Sequence, residues 1–591
     1  MLDARLRRLT LAWLCLLSVS IGIVTGLGAV VFRALVDIVH NLFFNGRLTL
    51  AAIPPGFGPP SVWGPFIVLS PVVGGLIVVW IVKTFAPEAK GHGVPEVMEA
   101  VYYREGRIRP VVAAAKITAS ALSIGSGAAV GREGPIIQIG AAFGSTLGQA
   151  LKLAPWQKIT LVAAGAGAGI AATFNTPLAA VLFATELLLP EISNRTFLPV
   201  VIATGTATFV GRLFFGPQPA FLLPDLTHLD QRIDLGSLLA AAVLGVVSGL
   251  AAALFVRLLT ACEEGFEKAP GNDYVKNAAG MFVVGLLFYG LFLGFGHYYV
   301  EGVGYATIEA VLNGGLTGVG LLALLFVAKL LATTISLGAG ASGGVFAPSL
   351  FLGATLGGAF GAFVNGTLGF HGLGIGEYAM IGMAALVGGG TGAAMTAIVM
   401  IFEMVRDYHI VFPAITATAL AVGTRRLISR ENIYTVKLAW RGRRIPSDRH
   451  SNMFLVRQAG DVMSRNVAVL PDTMTVQEGL KALPALPDSE YIIVARGERI
   501  RGVILVPPSL HRLEEVRGAL TLGEIADRQF IVAGPNRSMF EIFPRMKRRH
   551  ARYVLVADGA GTPRAGRVQG VVARAQITDA VLENFGERAG G

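Results

Sequence analysis

Long apolar segments separated by short polar connections run through the first three quarters of the chain. A helix needs about 20 mostly apolar residues to cross a bilayer. The pattern predicts membrane helices at about residues 11–34, 64–84, 110–130, 134–153, 157–190, 197–216, 235–260, 275–299, 317–337, 345–368, 376–402 and 409–424. The first apolar stretch, from Leu9 to Phe44, is too long for a signal peptide and is interpreted as a spanning helix.

Glycine and proline interrupt several of these segments, as at residues 165–169 (Gly-Ala-Gly-Ala-Gly) and 175–177 (Asn-Thr-Pro). Broken helices are costly in lipid, because their free backbone groups have no water to bond. Transporters tolerate them where the helix ends face a protein-lined cavity near the middle of the membrane. The interruptions therefore favour a transport protein.

Two glycine-rich turns, residues 131–135 (Gly-Arg-Glu-Gly-Pro) and 343–348 (Gly-Gly-Val-Phe-Ala-Pro), each open an apolar segment, and glycines follow both prolines at the same offsets. Two earlier turns, at 91–95 and 302–305, and two later glutamates also match in the same order. The repeat predicts two homologous halves, at about 11–216 and 235–428. Within one membrane such halves are often inverted, which would bring both turns to the midplane.

A helix that begins inside the membrane directs free N–H groups at whatever lies in front of it, and an anion is the natural occupant. Backbone donors select an anion without the full positive charge that would trap it. The two turns therefore predict an anion path. The alternative is that the glycines only permit close helix packing.

From Ser451 onward, apolar and polar residues alternate and predict a soluble tandem α/β module, with segments at 459–506 and 522–585. Each segment pairs two predicted strands, at 491–495 with 502–504 and at 553–557 with 570–572. The basic stretch before the module is interpreted as a linker.

The 591 residues are 53% hydrophobic and 15% charged, which is typical of a polytopic membrane protein. The net charge of +11 lies in the flanks and the polar tail, so membrane topology explains it better than nucleic-acid binding. Both termini are expected in the cytoplasm, because arginines flank the apolar region at Arg5, Arg7, Arg8, Arg425, Arg426, Arg430, Arg441, Arg443 and Arg444. The two cysteines, Cys15 and Cys262, predict neither a disulfide framework nor a metal site.

The chain resembles the CLC family of chloride channels and chloride/proton antiporters. The resemblance rests on three motifs in order, at 91–96 (Gly-His-Gly-Val-Pro-Glu), 131–135 and 343–348, followed by Tyr434. It implies an all-α polytopic membrane domain with an inverted repeat at 1–438, a basic cytoplasmic linker at 439–457 and a pair of CBS domains at 458–591. It further implies a multi-pass protein of a prokaryotic inner or plasma membrane. The expected assembly is a homodimer in which each subunit has its own anion pathway.

The resemblance also implies which residues bind chloride. The amides of Val345 and Phe346 and the hydroxyl of Tyr434 are expected to line a central site, and the turn at 132–135 an outer one. The full predicted anion-binding set is His92, Gly131, Arg132, Gly134, Val345, Phe346, Ala347 and Tyr434. Arg132 either raises the local positive potential or extends toward an interface. No metal ion or other cofactor is predicted.

Glu133 is the predicted gate and proton carrier. An ionised carboxylate among anion-binding amides competes with the permeant anion and withdraws when it is protonated. The alternative is a carboxylate that only caps a helix.

Two positions depart from the commonest family pattern. His92 replaces a serine that helps to hold the central anion; its imidazole either substitutes as a donor or packs away from the site. Leu187 and Met98 stand where well-coupled antiporters carry an inner carboxylate. The neighbouring Glu186 is either a substitute on the proton path or a structural partner of a helix end.

The sequence alone leaves several function classes open. The chain is expected to be a chloride/proton antiporter, with a passive voltage- or pH-gated chloride channel as the alternative because of Leu187. A non-conducting membrane sensor is a remoter hypothesis. An enzyme is not expected, because the spanning segments show no nucleophile–base pair. In the CBS pair, the strand-end sequences at 502–508 and 570–576 lack the acid that binds ribose in nucleotide-binding members. An adenine nucleotide site is therefore doubtful, and the alternative is a purely structural or dimer-stabilising role.

Overall fold

A computed structural model describes most of the chain. The described residues are 9–51, 56–218, 221, 235–370, 372–405, 409–443, 445, 456–482, 489–506, 520–558 and 564–579. The chain divides into two compact units, residues 1–445 and 446–591. Each unit is described by itself.

The described part of the first unit is helical. Its α-helices are α1 (Leu11–Asn45), α2 (Ser70–Phe85), α3 (Val94–Tyr103), α4 (Val111–Gly125), α5 (Glu133–Ala150), α6 (Pro155–Phe174), α7 (Pro177–Phe183), α8 (Asn194–Phe215), α9 (Leu235–Lys268), α10 (Asp273–Phe295), α11 (Tyr305–Leu312), α12 (Val319–Gly338), α13 (Phe346–Thr367), α14 (Ile375–Thr391), α15 (Ala394–Val405), α16 (Val411–Ile428) and α17 (Thr435–Trp440). Eight helical segments of the described residues are long and apolar enough to cross a membrane. The protein is an integral membrane protein.

The order of helices α1 to α8 recurs in α9 to α16, with a short helix third in each half and a broken pair near its end. The two halves are hydrogen-bonded to each other at equivalent positions of the repeat. Gly131 and Gly344, which are equivalent positions of the repeat, form an antiparallel bridge. Gly131 N donates to Gly344 O (2.8 Å) and Gly344 N donates to Gly131 O (2.6 Å). Such a reciprocal bond between equivalent residues is the contact that an inverted repeat produces at its axis.

The predicted breaks differ in outcome. At Asn175 the chain turns through a positive φ of 60° and α6 gives way to α7, as expected. The expected break at residues 165–169 is wrong, because these residues continue α6. The glycines serve packing instead: a Cβ on Gly169 would lie 2.6 Å from the carbonyl oxygen of Ile136 on α5. Small residues let the α5 and α6 backbones approach closely.

Two fully buried lysines hold the turns that precede the short helices α3 and α11. Lys116 Nζ donates to the carbonyls of Ala89 (2.9 Å) and Gly91 (2.7 Å). Lys329 Nζ, in the other half, donates to those of Val300 (2.9 Å) and Gly302 (2.8 Å). The repeat thus uses the same device twice. Each ammonium satisfies carbonyls that have no partner in a helix or sheet.

The second unit contains two three-stranded sheets. The strands are β1 (Val467–Pro471), β2 (Tyr491–Arg496), β3 (Arg499–Leu505), β4 (Phe530–Ala533), β5 (Tyr553–Ala557) and β6 (Val568–Val572), with short helices at Ala459–Val462, Val476–Ala482, Leu522–Ile525 and Met539–Arg549. In each sheet the central strand pairs parallel with the first and antiparallel with the third. The predicted α/β character is therefore confirmed, although the sequence pattern missed the short strands β1 and β4.

The two sheets share a hydrophobic core that includes Tyr491, Ile493, Leu555 and Val571. Gln576 adds polar contacts across the same boundary. Its Oε1 accepts from the Tyr491 hydroxyl (2.7 Å) and from the Ala573 N–H (3.2 Å), and its Nε2 donates to the carboxylate of Glu490 (3.3 Å). Gln576 therefore links the second sheet to the first.

We expect Lys116→Met and Lys329→Met each to lower the melting temperature of the protein in detergent. Lys329→Met leaves the carbonyls of Val300 and Gly302 without a donor among the described residues, at a cost of about 1–3 kcal/mol for each unsatisfied group. Lys116→Met is expected to cost less, because the Ser342 hydroxyl still donates to Ala89 O and Gly343 N still donates to Gly91 O. Lys268→Met, on an exposed lysine paired with Glu264, is the control. A melting temperature as high as that of the control would contradict a structural role.

We expect Gln576→Leu to loosen the contact between the two sheets, because it leaves the Tyr491 hydroxyl without its acceptor, a loss of about 1–3 kcal/mol. Hydrogen exchange of the β2 amides would report it, with faster exchange in the variant. Thr578→Val, on an exposed hydroxyl two residues away, is the matched control and should leave exchange unchanged.

Candidate functional site

Three glycine-rich turns that lie far apart in the sequence come together in the first unit. Beyond the Gly131–Gly344 bridge, Gly91 N donates to Ala341 O (3.2 Å) and Gly343 N donates to Gly91 O (3.3 Å). The turns at 91–95, 131–135 and 343–348 therefore form one backbone-bonded cluster. It joins the starts of α3, α5 and α13.

Glycine is required where these backbones touch. Gly93 has a φ of 83°, which residues other than glycine rarely adopt. A Cβ on Gly134 would lie 2.9 Å from the Cα of Gly344, and one on Gly344 would lie 2.6 Å from the Gly134 nitrogen. Larger residues at these positions would push the helix starts apart.

Helices α5 and α13 both begin in this cluster, at Glu133 and Phe346, with Arg132 and Val345 as the preceding cap residues. The first N–H groups of a helix have no carbonyl of their own helix to reach. At α13 one of them is already bound: Ala347 N donates to Glu133 Oε2 (3.2 Å). A carboxylate from the first half thus occupies the helix start of the second, where an anion is favoured.

The Glu133 side chain is buried, with 1% of its surface exposed. Its second oxygen, Oε1, accepts from the Tyr305 hydroxyl at 2.6 Å. The Arg132 guanidinium carbon lies 4.9 Å from the centre of the Tyr305 ring. Of the two roles considered for Arg132, this position favours a positive potential near the carboxylate.

His92 and Tyr434 are both buried, and their ring centres lie 6.3 Å apart. His92 Nδ1 has no hydrogen-bond partner among the described residues. Asn432 Oδ1 accepts from the backbone nitrogens of Tyr434 (2.9 Å) and Thr435 (2.8 Å), which fixes the start of α17. Phe346 packs against Phe174 with ring centres 5.8 Å apart. The structure thus brings the predicted imidazole and phenol close to each other.

Glu186 lies at another helix start. Its Oε1 accepts from Met395 N (3.1 Å), and its Oε2 accepts from Thr396 N (2.8 Å) and the Thr396 hydroxyl (2.5 Å), all in the first turn of α15. In return, Glu403 of α15 accepts from Leu178 N (3.1 Å) and Ala179 N (2.8 Å) at the start of α7. Of the two roles considered for Glu186, this geometry favours the helix-end partner. Leu187, next to it, is fully buried.

Tyr305, Lys116 and Lys329 were not among the predicted site residues. The two lysines could have been singled out from the sequence, because a charged residue within an apolar spanning segment is usually functional or specifically paired. In the sequence, Tyr305 stands out only as part of the repeat. Its place directly after Gly304 does not predict a contact with Glu133, because the two residues lie 172 positions apart in the chain.

Residues 74–426 match the family model described as voltage gated chloride channel. The chain is 30% identical over 433 residues to the H(+)/Cl(-) exchange transporter ClcA of Yersinia pseudotuberculosis, which covers 72% of this chain and 87% of that protein. It is 32% identical over 434 residues to the transporter of the same name from Vibrio cholerae, covering 71% of this chain and 87% of the relative.

Solved structures show the same fold. A slow cyanobacterial Cl-/H+ antiporter aligns with a TM-score of 0.63 and 26% identity, over 72% of this chain and 97% of that one. A eukaryotic CLC transporter aligns with a TM-score of 0.60 and 21% identity, over 95% of this chain and 97% of the other. With the family match and these relatives, the chain belongs to the voltage-gated chloride channel, or CLC, family.

Proposed function

We propose that this protein exchanges chloride for protons across the membrane. The observation that carries the proposal is the position of Glu133, whose ionisable carboxylate occupies the N-terminus of α13. The relatives named as H(+)/Cl(-) exchange transporters support it, because the alignment covers most of their length. Leu187, in place of an inner carboxylate, is the observation that favours the second candidate, a passive channel.

The exchange step follows from competition for the same donors. Ionised Glu133 accepts from Ala347 N and the Tyr305 hydroxyl, and it excludes chloride from that place. A protonated carboxyl is a weaker acceptor and carries no charge, so it leaves and chloride takes its place. Each cycle then couples one protonation event to anion entry.

The proposed anion path extends to both sides of the Glu133 carboxylate. The amides of Val345 and Phe346 and the hydroxyl of Tyr434 form a central site, beside the His92 ring. The turn from Gly131 to Gly134 forms an outer one, with Arg132 raising the potential. Backbone donors of this kind bind chloride and release it readily.

On the inner side we propose that water carries the proton to Glu133. Leu187 and Met98 are fully buried and have no titratable group, and both oxygens of Glu186 are bonded to α15. Glu186 then stabilises the fold, and the chain has no fixed inner carboxylate at the family positions. This arrangement is expected to make proton delivery slow.

The family resemblance supports a homodimer with one anion pathway in each subunit, in a prokaryotic inner or plasma membrane. The arginines that flank the apolar region support cytoplasmic termini. For the C-terminal module we propose a CBS pair with a structural role, because Gln576 binds the first repeat at the strand end.

The central test uses purified protein in liposomes with a chloride gradient and no net voltage. We expect protons to move uphill, driven by chloride, and Glu133→Gln to abolish this while chloride flux continues without pH dependence. The glutamine amide keeps the shape of the Glu133 side chain but does not take up a proton as the carboxylate does. Glu264→Gln, on an exposed ion pair, is the control. Chloride flux without uphill proton movement in the unmodified protein would exclude the exchange mechanism.

A second test separates the two roles of Glu186. We expect Glu186→Gln to leave the proton-to-chloride ratio unchanged and Glu186→Ala to lower stability by about 1–2 kcal/mol through the lost helix cap. Glu403→Ala, the counterpart in the other half, should have a similar effect on thermal unfolding in detergent. Loss of proton coupling in Glu186→Gln with chloride flux intact would instead put Glu186 on the proton path.

A further inference from the structure

Tyr305 contacts the gate from the opposite half of the repeat. It is the first residue of α11 and follows Gly304, which has a φ of 83°. Its hydroxyl donates to Glu133 Oε1 at 2.6 Å. The equivalent position in the first half, directly after Gly93, is Val94, which has no side-chain donor. The contact is therefore a departure from the internal symmetry, and it is made on Glu133, the one carboxylate among the described residues that bonds an N–H at the start of α13.

The phenol is held in place from two sides. The Arg132 guanidinium lies over its ring at 4.9 Å, and the Phe221 ring meets it edge-on with centres 5.6 Å apart. A ring confined in this way loses little further freedom when its hydroxyl bonds Glu133. Because Arg132 and Glu133 are adjacent in the chain, one tyrosine fixes both of them.

Other charged and titratable groups surround Glu133, and each influences its charge. Arg132 is its neighbour at the start of α5, Lys329 approaches from α12 and Tyr434 from the start of α17. Arg33 and Asp37 of α1 act on Arg132. Two donors bond the Glu133 carboxylate from other elements of the described structure, namely the Tyr305 hydroxyl and the Ala347 amide.

A hydroxyl donates more strongly to an ionised carboxylate than to a neutral carboxyl group. The bond therefore favours the state in which Glu133 is charged and lies against α13. We propose that Tyr305 is a positioning residue that holds ionised Glu133 in the anion path and so sets the pH at which the path opens. The inference rests on the proposed gating role of Glu133.

The test is the pH dependence of chloride flux in liposomes that contain the full-length protein. Flux requires protonated Glu133, so it rises as the pH falls. Tyr305→Phe removes the donor, ionised Glu133 is less stable, and protonation occurs at higher pH. We expect the pH of half-maximal flux to move upward by about one unit, a tenfold change in proton affinity. An unchanged midpoint would overturn the inference.

Matched variants separate this effect from a general change in structure. Tyr289→Phe removes one hydroxyl from a ring that stacks on Phe292 and should leave the midpoint unchanged. In the Glu133→Gln background, Tyr305→Phe should produce no shift, because no proton is bound at position 133. A pH shift that persists in the double variant would show that Tyr305 acts elsewhere and would overturn the inference.

A second measurement covers the case in which Tyr305→Phe does not fold. A tyrosine with one ring fluorine at position 305 keeps the ring and is a stronger donor, so the midpoint should move downward. A midpoint that stays or moves upward would contradict the inference. The result is distinct from a failure of exchange, because chloride flux can be gated by pH even if no proton crosses the membrane.

Discussion

The membrane unit depends on two helix starts that face one point from opposite halves of the chain. Neither start can be satisfied by its own helix, and neither can be exposed to lipid. The pair of hydrogen bonds between Gly131 and Gly344 fixes their separation. The close approach of Gly134 and Gly344 leaves no room for side chains. The two helix starts leave a small region of backbone N–H donors between them. A negatively charged group that enters this region can bind to these donors.

The two halves share one backbone arrangement, and the proposed function depends on the positions at which their side chains differ. Lys116 and Lys329 hold equivalent turns with equivalent bonds. At the starts of α5 and α13 the halves differ, because the first turn carries Glu133 where the second carries Phe346. A fully symmetric cluster would have a carboxylate on both sides or on neither. In the proposed exchange, the single carboxylate that faces the α13 amides gives up its place to an anion.

Much of this architecture could be predicted from the sequence, because apolar length, glycine turns and their repetition are local signals. The helix at Leu11–Asn45 and the break at Asn175 follow from them. The glycines at 165–169 are ambiguous in the sequence, since the same composition serves a helix break and a close helix contact. Only the neighbouring α5 backbone distinguishes the two. The contact of Tyr305 with Glu133 was equally inaccessible, because it depends on how two distant turns approach in space.

The mutual capping by Glu186 and Glu403 has a consequence for how the protein is made. Each carboxylate closes a helix in the half that does not contain it. The ribosome completes α7 long before it reaches residue 403, so the first half enters the membrane with the start of that helix uncapped. The final structure of the first half must therefore wait for the second. Neither half of the membrane unit can complete these helix ends without the other.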